Sequence, residues 1–348
     1  MTMTGLERIL TTLKHQEPDR VPHLDAVDPG VREQILPGKS EEDFIEYIDM
    51  DAAIVHYTYF TRYDTLDEAK HLARDQWGSI VKFTSELLPH PIGPVLKEEK
   101  DIDTYQPPDP DEEWRYEIIE KLVKRFKGQR AIIPTLPDIW NVVKDFFMGD
   151  VWYFTAMIEN PEFIQQVSEI PLKFYLKFIK NCVDAGADII WVHGDWAGTK
   201  YPMVSPKLTE KLIAPYLKKL VDYTHSLGLY CWKHTDGNIW PVKDILLNTG
   251  IDALHPIDPA ACLDMAVAKA EIGDKVCLMG NVSCVDVLPN GTAEEIRQAT
   301  KECIRKGGKG GGFICTSSNS IHSGVPGENY VTFVKAIHEF GKYPLMLD

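Results

Sequence analysis

The sequence predicts an α/β protein folded as a (β/α)8 barrel, a TIM barrel, and three observations predict it. First, six apolar runs in the last two thirds of the chain each end in a cluster of polar residues: AIIPTLPD (131–138), ADIIWVHGD (187–195), LYCWKHTDGN (229–238), DALHPID (252–258), VCLMGNVS (276–283) and GGFICTSSNSIH (311–322). Second, an amphipathic helical pattern lies between most of them, as expected of βα units whose strands are buried on both faces. Third, two earlier apolar stretches, VPHL (21–24) and the start of DAAIVHYTYF (51–60), bring the strand count to eight. Parallel strands closed into a barrel gather reactive side chains where the strands end.

The elements follow in order. Residues 4–16 place Leu6, Ile9, Leu10 and Leu13 at helical spacing, an N-terminal helical extension that stops before the turn signal EPDR. VPHL is the first strand, helices at 30–36 and 40–48 follow, and the 51–60 run is the second strand. Residues 61–110 break the rhythm: DQWGSIVKFTSELL and PVLKEEK suggest a hairpin, and QPPDPDEE closes the excursion. Such a length reads as an insertion over the barrel mouth, a lid. From 112 onward the alternation is regular, with helices 112–128, 139–158, 160–185, 206–227, 239–249, 263–272, 293–306 and 327–341 around strands 130–136, 187–193, 229–234, 252–256, 275–280 and 311–316. The glycine run GGKGGG (307–312) precedes a strand, so it is a turn and not a dinucleotide or nucleotide-binding loop.

A chain of 348 residues accommodates one barrel domain over 1–348. The formal charge of -15, with no dense basic block, argues against nucleic acid as a partner. No apolar stretch is long enough to span a bilayer, and the start reads as a mixed-charge amphipathic helix rather than a signal peptide. Seven cysteines without CxxC spacing suit a reducing compartment, so the expected location is cytoplasmic.

His234 and Asp236 in KHTDGN, and His193 and Asp195 in WVHGDWAG, share a two-residue spacing at strand ends, so each pair can point into the barrel mouth. These four are the candidate catalytic residues. Asp236 could instead cap the next helix, although Asn238 is the better cap. His56, Tyr57, His255, Asn281, Asn319 and His322 are candidates for substrate binding from their position on the same face. Each also has an ordinary structural explanation, since a histidine can satisfy itself on a backbone carbonyl. His234, Asp236, Cys315 and His322 could supply zinc donors, a permissive set, with His234, Asp236 and Cys315 foremost. Trp140, Trp152, Trp191, Trp196, Tyr57 and Tyr59 could line a pocket for a flat ligand, or simply pack the core.

With these residues in place, the chain resembles the uroporphyrinogen decarboxylase superfamily, which holds both the haem-pathway decarboxylase and corrinoid-dependent methyltransferases. The resemblance covers nearly the whole chain. It rests on R-x-x-x-x-L-x-H-x-x-P-D-R-V-P from Arg8 to Pro22, GDWAG (194–198), the stretch MVSPKLTEKLIAPYLKKLVDYTHSLGL, then HTDGN, CLMGNVS and GGGFI. A TIM barrel is what it implies. The haem-pathway enzymes carry an arginine-bearing segment after the first strand and an aspartate on the second, to hold a substrate with many carboxylates. Here HLDAVDPGVRE and VHYTY stand in those places, with Asp25 and Asp28 added and Arg32 the only cation. That composition would repel such a substrate.

The methyltransferase branch places zinc on HxC plus a later cysteine, where this chain has His234, Asp236 and Asn319. The chain looks closer to relatives that pass a methyl group from an oxygen or nitrogen compound to cobalamin on a separate corrinoid protein. A small methoxylated aromatic, an aryl methyl ether, is the expected donor, and the reaction an O-demethylation. The alternatives are decarboxylation of a small aromatic or pyrrolic acid, and a catalytically silent ligand-binding barrel.

Overall fold

The structure, a computed structural model, describes residues 2–84 and 88–347. Its centre is a parallel sheet of seven strands: β1 (Ala52–Val55), β6 (Ala131–Pro137), β7 (Ile189–His193), β8 (Tyr230–His234), β9 (Ala253–His255), β10 (Cys277–Val282) and β11 (Phe313–Ser317), neighbours in that order. β6 and β11 are buried at every residue, as strands covered on both faces must be. The helices that follow the strands cover the outer face. Glu117–Phe126, for example, turns Ile119, Leu122 and Phe126 inward at helical spacing.

Seven ladder strands among the described residues, not eight, corrects the sequence expectation, and the reason lies in VPHL. Pro22 has no N–H, and the His23 N–H donates to the Asp51 carboxylate at 2.8 Å instead of to a neighbouring backbone. The segment still bridges the sheet edges. Pro22 O accepts from Cys315 N at 2.9 Å, and His23 O accepts from Asp51 N at 3.0 Å. It therefore lies between β11 and β1 as single bridges rather than as a strand.

The opening motif explains itself at this seam. Fully buried Asp51 accepts from Arg8 at 2.5 Å and Arg20 at 2.7 Å, while Arg8 also holds Asp19 at 2.6 Å. The N-terminal helix Gly5–Leu13, closed by a capping box of Thr4 and Glu7, is thereby pinned to the base of β1.

Residues 61–110 carry more than a hairpin. β2 (Asp64–Asp67), β3 (Leu72–Arg74), β4 (Ile80–Lys82) and β5 (His90–Gly93) form a separate antiparallel sheet. The expected hairpin stretch includes residues 85–87, which lie outside the described residues. Trp77 anchors this sheet by packing against Phe147, Phe174 and Tyr175. Two expected helices are interrupted. The first breaks into Ile139–Asn141, a π-helical turn Val142–Met148 and, after Gly149 at φ 76°, Asp150–Glu159. In the other, Pro215 removes an N–H just after the π-helical turn Thr209–Ile213.

Candidate active site

Register builds the site. His193, His234 and His255 are direct partners across β7, β8 and β9, so three imidazoles stand level at the carboxyl ends of adjacent strands. The rings of His193 and His234 are 5.0 Å apart, as are those of His234 and His255. His56, just past β1, extends the row at 6.0 Å from His193. Burial keeps all four neutral: it draws His56 down to about 4 and His234 to about 3, and holds His193 and His255 well below the usual imidazole range.

His234 Nδ1 lies 2.8 Å from His255 Nδ1, so one of these two rings donates to the other.

Two carboxyls converge on the other ring nitrogen of His234, Nε2. Asp195 Oδ1 is 3.7 Å and Asp236 Oδ1 3.8 Å from His234 Nε2. Asp195 Oδ1 takes the Asp236 N–H at 2.9 Å, and Asn319 donates to Asp236 Oδ2, while Asp236 Oδ1 is buried with no hydrogen-bond partner among the described residues. Burial, with Asp195 and Asp258 nearby, pushes the Asp236 carboxyl up to about 8. At neutral pH it is predominantly the acid.

Donor atoms of Asp195, His234 and Asp236 lie within 4.8 Å of one another. Two oxygens and one imidazole nitrogen, with an orphaned carboxylate oxygen among them, fit a divalent cation such as zinc with an open coordination position. Cys315 is not in this set. Its thiol is buried against Cys303 of the helix Ala293–Gly307, behind β11, which corrects the expectation that it joins His234 and Asp236. Asn281 is corrected likewise, because its side-chain oxygen meets the Cys303 thiol at 3.4 Å and does not line the cavity.

The cavity itself has a volume of about 860 Å³. His56, Tyr57, His193, Asp195, His234, His255, Asn319 and His322 all line it, whereas Asp236 is not in the wall and meets it through His234, whose Nε2 is 3.8 Å from the buried Asp236 Oδ1. Of the aromatic residues singled out in the sequence, Trp191 and Tyr57 are in the wall. Asp25 lines it too, whereas Asp28 caps the helix Pro29–Ile35. Asn238 Oδ1 accepts the Trp240 N–H at 3.2 Å in a turn, but Ile239 and not Asn238 is the N-cap of the helical turn Trp240–Val242, which corrects the expectation that Asn238 caps it.

Sequence reasoning missed two groups. Asp145, on the π-helical turn, reaches the wall because that turn departs from an ordinary helix. Beneath the site, Lys233 and Asp138 are fully buried and paired at 2.7 Å; Lys233 also donates to Gly194 O at 2.7 Å, and Trp196 Nε1 to Asp138 at 2.9 Å. A lysine inside an apolar strand run was the available signal, since a buried lysine requires a partner. A Cβ on Gly194 would fall 2.2 Å from Asn141 Oδ1, so glycine alone lets the Asp195 loop lie this close.

An α/β chain with a curled parallel sheet and a polar cluster at its strand ends is an enzyme-like barrel, and comparison with known proteins gives its family. The model for "Uroporphyrinogen decarboxylase (URO-D)" matches residues 45–340, and the chain belongs to this enzyme family. Relatives include the uroporphyrinogen decarboxylase of Psychromonas ingrahamii, 26% identical over 310 residues that cover 84% of this chain and 79% of the relative. That of Vibrio cholerae is 26% identical over 270 residues, 72% of each chain. Among solved structures, a methyltransferase from Methanosarcina mazei superposes with TM-score 0.74 at 19% identity, covering 97% of this chain and 99% of that one. A B12-independent methionine synthase from Shewanella sp. W3-18-1 gives 0.51 at 13% identity, over 93% and 95%. At these identities the structural matches speak for the fold. No described helix is long and apolar enough to cross a membrane.

Proposed function

We propose that this protein is a methyltransferase that moves the methyl group of a small methoxylated aromatic to the cobalt of a corrinoid carried by a separate protein. One observation carries the reading: a buried carboxyl, Asp236, held in its acid form 3.8 Å from Nε2 of His234, a ring in the wall of a large cavity. An aryl methyl ether breaks its C–O bond only if charge on the departing oxygen is neutralised. The corrinoid, here the methyl-accepting substrate, contributes the electron pair that bonds to the methyl carbon. The C–O bonding pair stays on oxygen, and Asp236 protonates it to a phenol. Asp195 and Asn319 hold Asp236 in place, and the neutral imidazoles of His193 and His234 flank the reacting oxygen without adding charge.

Asp195, His234 and Asp236 would hold zinc if this protein uses it, and the ion would then polarise the leaving oxygen as a Lewis acid. The antiparallel sheet, through Pro89, His90 and Pro91 in the cavity wall, would shape the space for the donor. The name of the relatives favours decarboxylation as a second reading. Against it, no Lys or Arg lines the cavity among the described residues to hold a carboxylate substrate.

The test mixes the purified protein with a reduced corrinoid protein and a methoxyphenol. Methylcobalamin absorbance is the expected outcome. No spectral change across a broad donor panel, or carbon dioxide release from aromatic acids without corrinoid, would overturn the reading. Elemental analysis of the wild type beside His234→Ala decides between metal and proton: about one zinc per chain, lost in the variant, assigns the ion.

A further inference from the structure

One carboxyl in the cavity has no part in the chemistry above. Asp25 is 6% exposed and lines the wall beside Leu24 and Ala26. Its Oδ1 takes the Ser317 N–H at 2.9 Å and the Ser317 hydroxyl at 2.6 Å, while among the described residues Oδ2 has only the Tyr330 hydroxyl at 3.4 Å. No cation among the described residues is paired with it. Burying a carboxyl without a counter-charge is costly, and burial accordingly pushes it up to about 7.

The rest of the wall deepens the deficit. Asp195 adds a second carboxyl, Asp145 is already paired with Lys144, and among the described residues no Lys or Arg lines the cavity. Lys144, behind Asp145, is engaged by Asp145 and by Asp150. Tyr57, Phe146 and Trp191 add aromatic faces, which attract cations as well as flat rings.

We propose that Asp25 is the specificity-determining residue of this cavity, and that the methyl donor carries an ammonium group at the end away from its methyl ether, paired with Asp25. A ligand ammonium supplies the counter-charge that the fold withholds, in a charge-assisted hydrogen bond shielded from water. A carboxylate in that place meets Asp25 and Asp195 instead. This rests on the methyl ether reading for the other end of the donor. The substrate class is then a methoxylated arylalkylamine rather than a methoxylated aromatic acid.

Three ligands of one shape test it: para-methoxybenzylamine, para-methoxybenzyl alcohol and para-methoxybenzoate, titrated calorimetrically into the full chain at pH 7. The expected order is amine, alcohol, benzoate, with the amine tighter than the alcohol by about tenfold. Asp25→Asn is expected to erase the advantage of amine over alcohol, and Asp25→Ser repeats the comparison if the first variant does not fold. Equal binding of amine and alcohol, benzoate binding as tight as the amine, or an amine advantage that survives loss of Asp25 would each overturn the proposal. The binding order is independent of turnover. If it holds while none of the three methylates a corrinoid protein, the ammonium assignment stands and the methyl ether reading fails.

Discussion

Replacing Lys233 with methionine tests how the site is held. The Lys233 ammonium and the Asp138 carboxylate are both wholly buried and 2.7 Å apart, and the same ammonium fixes Gly194 O, the residue before Asp195. Methionine keeps the stem volume and removes the charge, so Asp138 is left with the Trp196 indole N–H alone. Removing one partner of a buried pair costs about 3–5 kcal/mol. Lys233→Met is therefore expected to lose about 3–5 kcal/mol of stability. The double variant Lys233→Met, Asp138→Asn leaves no charge and still offers Trp196 an acceptor, so it should recover about 2 kcal/mol of the loss. Urea unfolding followed by tryptophan fluorescence and circular dichroism measures all three proteins. A single-variant loss below about 1 kcal/mol, or a double variant no better than the single, would refute the reasoning.

Two further outcomes follow from the carboxyls. Asp236 is raised to about 8, so its proton is present below that pH and lost above it. Methyl transfer by the wild type should fall as pH rises through about 8, and Asp236→Asn should lose about 10²–10³ in rate together with that limb; a flat wild-type profile from pH 7 to 9 would sink the acid role. Asp25 is raised to about 7, above its unfolded value, so the native state binds the extra proton and loses stability as pH rises from about 4 to 7. Asp25→Asn should thus gain on the wild type in unfolding free energy between pH 4 and pH 8, by at most about 4 kcal/mol, and an unchanged gap in urea unfolding would show that this carboxyl is not desolvated.

Much of the barrel was legible because its strands announce themselves chemically. β6 through β11 each fall within an apolar run bounded by turn residues, since strands covered on both faces admit little else. The first strand was misread for a local reason: VPHL has strand composition, but Pro22 cannot donate and the His23 N–H is taken by Asp51, 28 residues on. The interrupted helices were hidden similarly, because an apolar period does not report a π-helical turn.

The site divides along the same line. Sequence spacing suggests that His234 and Asp236, or His193 and Asp195, act as pairs along one strand. The strands end at these histidines, however, and the chain beyond them no longer alternates. Asp195 consequently reaches His234 of the next strand, and the Asp236 N–H closes the same corner from the other side. Partnership here is decided across the ladder, by a register that sets His193, His234 and His255 level, and register is a property of two strands together. The same logic hides Asp138 from Lys233, 95 residues apart in sequence and 2.7 Å apart in space. Cys315 shows the reverse: it belongs to the right strand, but its side chain faces the helix layer, so proximity in sequence to Asn319 and His322 gives it no place in the cavity. A strand-end residue thus becomes a site residue only when its face and its register both agree, and a single chain read in isolation specifies the first far better than the second.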